Sequence, residues 1–301
     1  MQIGLFQYNL TVMARFAVAF MAAVLVSLLI GMAIVGQQPP AASAARMLLL
    51  PRQIVSGERA TLAVLDVNGR LTPEVTVAFS NGDRLKTDAT GRAMFVAPLT
   101  PGSISASIAG RSGKVYTTIL TPTEANSESI QIQSLPKMAS LSDRFELTGL
   151  GFCGDADSNQ VTIGGQQALI LTASPTSLEV LPPTDLQPGA VSIDVNCGKK
   201  SAPPISIRFI ALALEANTSP LAPGEHRTLT VRVTGTSLKI EMEARNLEPR
   251  VADLSGGNPV KASSSGGAEN LAHFEVVGRK SGPFLISIRL LSGRIAAAQQ
   301  R

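Results

Sequence analysis

From about residue 47 onward the chain alternates hydrophobic and polar positions with a period of two. Val75, Val77 and Phe79 alternate with Thr76, Ala78 and Ser80, and Ile104, Ala106 and Ile108 alternate with small or polar residues. Further on, Phe145 and Leu147, Val161 and Ile163, and Leu178 and Val180 form inward pairs. The same rhythm carries Leu229, Val231 and Val233, then Leu238, Ile240 and Met242, then Phe274 and Val276, and finally Phe284, Ile286, Ile288 and Leu290. Strands buried on one face have this period, whereas a helix would repeat near 3.6. No helical stripe follows residue 45, so the predicted class is all-β.

Turn residues punctuate the strands: Asn68-Gly69, Asn81-Gly82-Asp83, Asp88 to Gly91, Pro101-Gly102, Gly110 to Gly113 and Gly164-Gly165. In the first block their spacing is close to that of a small sandwich. Three blocks result, 46–122, 129–210 and 211–295, each near the lower size limit for an independent core. A polar linker runs from Pro122 to Ser129, and a much shorter joint lies around Phe209 to Ala213. Pro182-Pro183 marks a loop or an edge, because proline lacks the ladder donor. Ser255 to Gly267 reads as a mobile Ser/Gly loop.

Residues 1–45 differ from the rest. Phe16 to Val35 carries no charge, follows Arg15, and is long enough to cross a bilayer as a helix. Ala42-Ser43-Ala44 then supplies the small-x-small pattern of a signal-peptidase site. A cleaved signal peptide and a retained signal-anchor through residues 16–35 both remain open. Either one puts the remainder of the chain outside the cytoplasm, in the cell envelope facing outward or secreted. A lipoprotein is excluded, since no Cys directly follows the apolar run.

Composition narrows the functions. The chain has 301 residues, 45% of them hydrophobic, which suffices for real cores. Its 26 basic residues against 22 acidic ones are scattered without a block, so nucleic acid is not an expected partner. There is no Trp, and Tyr8 and Tyr116 are the only tyrosines, so platforms for stacking bases or sugars are scarce.

Only Cys153 and Cys197 are present. Val191, Ile193, Val195 and Cys197 share one strand face, so Cys197 points into a core. In an exported chain an even pair implies a structural disulfide, the alternative being two buried thiols. A bridge over a separation of 44 residues would add roughly 4 kcal/mol by loop-closure entropy.

The middle block resembles the IPT/TIG domain. The likeness rests on Phe145-Glu146-Leu147-Thr148-Gly149-Leu150-Gly151-Phe152, on Val161-Thr162-Ile163-Gly164-Gly165 with Ala168, on Leu178-Glu179-Val180 ahead of Pro182-Pro183, and on Pro188-Gly189 leading into Val191 to Val195. Gly149 and Gly151 would permit a sharp turn or bulge that returns Phe152 to the core. The first block resembles invasin-type bacterial Ig-like domains through Ser56-Gly57-Glu58, Val64-Leu65-Asp66, Gly69-Arg70 and Thr87-Asp88-Ala89-Thr90-Gly91-Arg92-Ala93. The third looks generically Ig-like. These resemblances imply tandem immunoglobulin-like β-sandwiches with a spacer, adhesion or interaction role and no catalysis.

The candidate chemistry is thin. Asp155-Ala156-Asp157-Ser158-Asn159 opens like a calcium loop, but an EF-hand needs Gly and Glu where Gln160 and Gln166 stand, so a solvated loop beside Cys153 is expected. His226 is placed in a turn before a strand, and His273 on a solvent face near Glu275. Neither has zinc spacing, and no G-x-S-x-G elbow occurs. Asn217-Thr218-Ser219 is a glycosylation sequon that matters only in a eukaryotic secretory pathway. Arg208, Lys239 and Arg245 read as solvated strand-face charges. No catalytic residue, metal or cofactor is assigned. The expected function is a non-enzymatic envelope or extracellular protein that engages an unidentified protein or surface polymer. The alternative is a carbohydrate-binding or accessory module of a secreted enzyme system.

Overall fold

The computed structural model describes residues 46–122, 127–215, 221–282, 284–291 and 294–296. The apolar leader, the sequon and residues 123–126 of the first linker lie outside them. From Ala45 onward the chain is one compact unit, and its regular structure is β apart from short turns of 3-10 helix. Among the described residues no helix is long and apolar enough to cross a membrane.

The first block contains β1 (Met47–Leu49), β2 (Gln53–Val55), β3 (Arg59–Leu65), β4 (Thr76–Phe79), β5 (Arg84–Lys86), β6 (Arg92–Val96), β7 (Gly102–Ile108) and β8 (Val115–Leu120). β1, β3 and β6 form one layer, and the other runs β2-β8-β7-β4-β5. Their facing side chains, Ile54, Leu62, Val77, Phe79, Phe95 and Ile104 among them, make a closed core. Two turns share one sequence plan. In Asp66-Val67-Asn68-Gly69-Arg70 and Asp88-Ala89-Thr90-Gly91-Arg92 the Asp side chain accepts amide hydrogen bonds two and four residues on, as Asx turns do.

The middle block contains β9 (Gln131–Pro136), β10 (Met138–Ser140), β11 (Phe145–Leu150), β12 (Asn159–Ile163), β13 (Gln166–Gln167), β14 (Leu169–Ser174), β15 (Ser177–Leu181), β16 (Gly189–Cys197), β17 (Lys200–Ser201) and β18 (Ile205–Glu215). The layer β14-β15-β11-β9 packs on β13-β12-β16-β18 around Leu147, Ile163, Leu178, Ile193 and Phe209. The third block adds β19 (His226–Thr234), β20 (Glu241–Asn246), β21 (Ala252–Leu254), β22 (Val260–Ser263), β23 (Asn270–Gly278), β24 (Ile286–Leu290) and β25 (Arg294–Ala296). Here β18-β19-β23-β21 faces the three-stranded sheet β22-β20-β24 across Ile210, Val231, Met242 and Phe274.

Each core has its own side chains, yet the sheets do not stop at the block boundaries. β18 pairs with β16 through Phe209 and with β19 from Ala211 onward. The joint read around Phe209 to Ala213 is therefore the middle of one strand. Consecutive residues on it point to opposite sides, so Phe209 fills the middle core and Ile210 the third, both fully buried. The Ser255 to Gly267 segment is also more ordered than its composition predicts, because β22 lies within it and pairs with β20. Leu238 departs from the expected inward trio and is 62% exposed, while Ile240 and Met242 are buried.

Candidate functional site

The junction between the first two cores gathers most of the residues singled out from the sequence. After Leu49 the chain leaves its sheet, and β2 pairs in parallel with β8 in the opposite layer. That crossover uncovers the edge of β3 near Thr61, and β14 of the middle block pairs there, Ala173 opposite Thr61. β3 is consequently buried on both faces. Ala60, Leu62 and Val64 enter the first core, whereas Ala63 and Leu65 join Leu49 and Leu171 in a small apolar cluster between the blocks.

The loop after Cys153 docks on the same edge. The Thr61 hydroxyl donates to the Gly154 carbonyl at 2.8 Å and accepts from the Ala156 amide at 3.1 Å. Gly154 is required by close approach, since a Cβ there would lie 1.8 Å from the Arg59 carbonyl oxygen. Arg92, from the first block's Asp-x-x-Gly-Arg turn, ion-pairs with Asp157 at 2.7 Å and donates to the Ile170 carbonyl. The Ser174 and Thr176 hydroxyls both donate to the Gln53 carbonyl.

Cys153 and Cys197 are joined as a disulfide with Cα atoms 5.8 Å apart. Asn159, opposite Cys197 in the β12–β16 ladder, accepts from the Cys153 amide and donates to the carbonyls of Cys153 and Asp155. Asp155 caps a short 3-10 turn by accepting from the Asp157 amide and the Ser158 hydroxyl. The Asp155 to Asn159 string is solvated only in part: Asp157 and Ser158 are exposed, whereas Ala156 and Asn159 are buried. Its side-chain oxygens close the turn and fasten it to the neighbouring block. Among the described residues no group of three or more His, Cys, Asp or Glu is placed to hold a metal ion.

Gly149 and Gly151 act through close approach. A Cβ on Gly149 would meet the Gln131 carbonyl oxygen at 2.1 Å, and one on Gly151, at φ +81°, the Ser129 carbonyl oxygen at 2.5 Å. The β11–β9 register shifts between Thr148 and Gly149, and Phe152 returns to the core. Residues 126–209 match the family model of the IPT/TIG domain. The middle block is an IPT/TIG domain.

No curated protein matches the chain. Among solved structures, the SGBP-B protein of the Bacteroides ovatus mixed-linkage glucan utilization locus, in complex with a mixed-linkage heptasaccharide, is 12% identical over 79% of this chain and 73% of that one, with a TM-score of 0.32. The full extracellular region of plexin A4 is 11% identical over 82% of this chain and 23% of that one, TM-score 0.31. Domains 1–6 of the surface layer protein SbsC are 14% identical over 82% and 39%, TM-score 0.20. The chain thus spans less than half of the plexin and surface-layer chains.

Beside the TIG block's β10 and β11 lies an open groove of about 300 Å³, lined among others by Met138, Phe145 and Leu290 and by Asp143, Glu146 and Glu179. Arg144 pairs with Glu179, and Arg52 of the first block stands 4.0 Å from Glu146. Burial pushes the Glu179 carboxyl above its ordinary value, and the Arg144 guanidinium only partly opposes it.

The histidines are surface residues. His226 begins β19, and its Nδ1 lies 2.6 Å from Oε1 of Glu275, holding that carboxyl below its usual range together with a hydrogen bond from Ser255. His273 contacts Thr230 instead. Spacing along the strand puts Glu275 beside His273, its neighbour on the same face; the cross-strand diagonal brings His226 closer. Arg208 donates to the Gly235 carbonyl.

Sequence reasoning missed the junction residues Thr61, Gly154 and Arg92 as a set. One signal was available: Ala60 to Leu65 reads as a nearly unbroken run of small and apolar residues, the pattern of a strand covered on both faces.

Proposed function

We propose that this is a non-catalytic, exported protein of the cell envelope or exterior, built of Ig-like modules at 46–122, 129–210 and 211–295, which holds or spaces a protein or surface polymer. The carrying observation is that the polar string beside Cys153, the best ligand-loop candidate in the sequence, is engaged in docking one sandwich to the next. Thr61, Arg92, Asp155, Asp157 and Asn159 satisfy one another or the backbone. The disulfide supports an oxidising compartment, and the leader supplies a route there, by cleavage after Ala44 or by retention as an anchor through residues 16–35. Function then sits on loops, grooves and strand edges.

Passing the full chain over insoluble polysaccharides tests the reading. Flow-through, together with a saturable complex with a purified envelope protein, supports it. Retention on a glycan transfers the chain to the carbohydrate-binding class, for which Tyr116, 66% exposed, is the one tyrosine among the described residues. Membrane fractionation with N-terminal sequencing decides between the two leader readings, and a free N-terminus at Ala45 rules out the anchor.

A further inference from the structure

Among the described residues the third sandwich lacks a strand. An Ig-type sandwich closes its smaller sheet with a last strand beside the penultimate one. Here the last described strand, β25, pairs instead with β9 of the TIG block, Ile295 opposite Leu135. β24 therefore pairs with β20 alone, and its other edge is open among the described residues. The consequence shows in the core: Phe284, Ile286, Ile288 and Leu290 pack against it while only half-buried, whereas Leu229, Val231, Phe274 and Val276 on the opposite sheet are buried.

The ladder fixes which backbone groups face outward. The Leu247 amide donates to Leu285 and the Leu291 amide to Glu241. In an antiparallel ladder the hydrogen-bonded residues alternate, so Ser287 and Arg289 bond to β20 while the N–H and C=O of Ile286, Ile288 and Leu290 project to the open edge. Several other edges are blunted. β5 carries exposed Arg84 and Lys86, and β13 and β21 span only two and three residues. β6 exposes Met94 and Val96 but borders a closed core. The acidic groove begins at Leu290, where β24 ends; Asp143, Glu146 and Glu179 line it with Arg144, and Arg52 stands beside Glu146, so carboxylates outnumber guanidinium groups by one.

We propose that the open edge of β24 and the acidic groove at its Leu290 end form one docking site for an extended segment of a partner protein, adding as a strand with alternating apolar side chains and placing a Lys or Arg in the groove. Main-chain donors and acceptors in a row match only another strand, and apolar side chains on its inner face complete the half-covered core. The proposal rests on the reading of the chain as an interaction protein. Failure at this edge would leave that reading standing, because the polysaccharide and complex-formation assays test it separately.

The test uses the full chain and an acetylated peptide, Lys-Thr-Val-Thr-Val-Thr-Val-Thr, read by residue-resolved amide hydrogen exchange. The peptide is expected to slow exchange at Ile286, Ile288 and Leu290 by about tenfold or more. Ile288→Pro removes one outward N–H without touching a β20 bond and should weaken binding about tenfold. Asp143→Lys, which leaves the edge intact, should weaken this peptide but not one with Gln in place of Lys. The proposal is overturned if those amides are already as slow as β20 in the free protein, if the peptide leaves them unchanged, or if neither substitution alters binding.

Discussion

The hydroxyl of Thr61 and the backbone of Gly154 meet across two hydrophobic cores, 93 residues apart in sequence, with an oxygen–oxygen distance of 2.8 Å. Because the same hydroxyl also accepts from Ala156, it satisfies two backbone groups that the docked loop removes from water. Thr61→Val keeps the shape and deletes both bonds. The expected loss is about 1–3 kcal/mol, measured by denaturant unfolding, with faster proteolysis between Cys153 and Asn159 as the local readout.

Gly154→Ala should be at least as damaging, since its Cβ meets backbone and not a side-chain tip. Overpacking of this kind costs about 1–3 kcal/mol. If the junction is what matters, chemical shifts in β3 and the docked loop will change while those of β19 and β23 stay put.

Replacing Cys153 and Cys197 by Ser should lower stability by about 2–5 kcal/mol. The loop is also tied by Asn159, so the double variant should fold and keep the Arg92–Asp157 contact at low denaturant. Adding a reductant to the native protein should reproduce the same shift in unfolding midpoint.

Glu179 gives a pH signature. Its carboxyl titrates above the ordinary value because burial disfavours the charge, so the folded state holds this proton more tightly than the unfolded chain does. The resulting stability is fully present below the unfolded pKa and is lost as pH rises through the folded one. Measured at pH 4 and pH 7, the stability of the native protein relative to Glu179→Gln should therefore fall with rising pH. An unchanged difference would mean that Arg144 fully compensates the burial.

Local alternation made the sandwich interiors legible: Val75, Val77 and Phe79, or Leu178 and Val180, needed only a period of two. Gly149 and Gly151 were legible as a bulge because close backbone approach excludes a Cβ whatever the neighbours are. The junction was not legible, because Arg92 and Asp157 look like ordinary turn residues until two sandwiches bring them together. β22 was hidden by its Ser- and Gly-rich surroundings, and its pairing with β20 overrides that composition. The unbroken β18 was hidden for the opposite reason. Phe209, Ile210 and Ala211 give no alternation, and a strand changing from one core to the next reads like a joint.

That shared strand constrains how the chain can change. Adding or removing a single residue between Phe209 and Ile210 would turn every later side chain of β18 to the wrong side, moving core residues into solvent and polar ones inward. Insertions would have to come in pairs, or not at all. The spacing of the last two modules is thus under a parity rule that an ordinary tether between domains escapes.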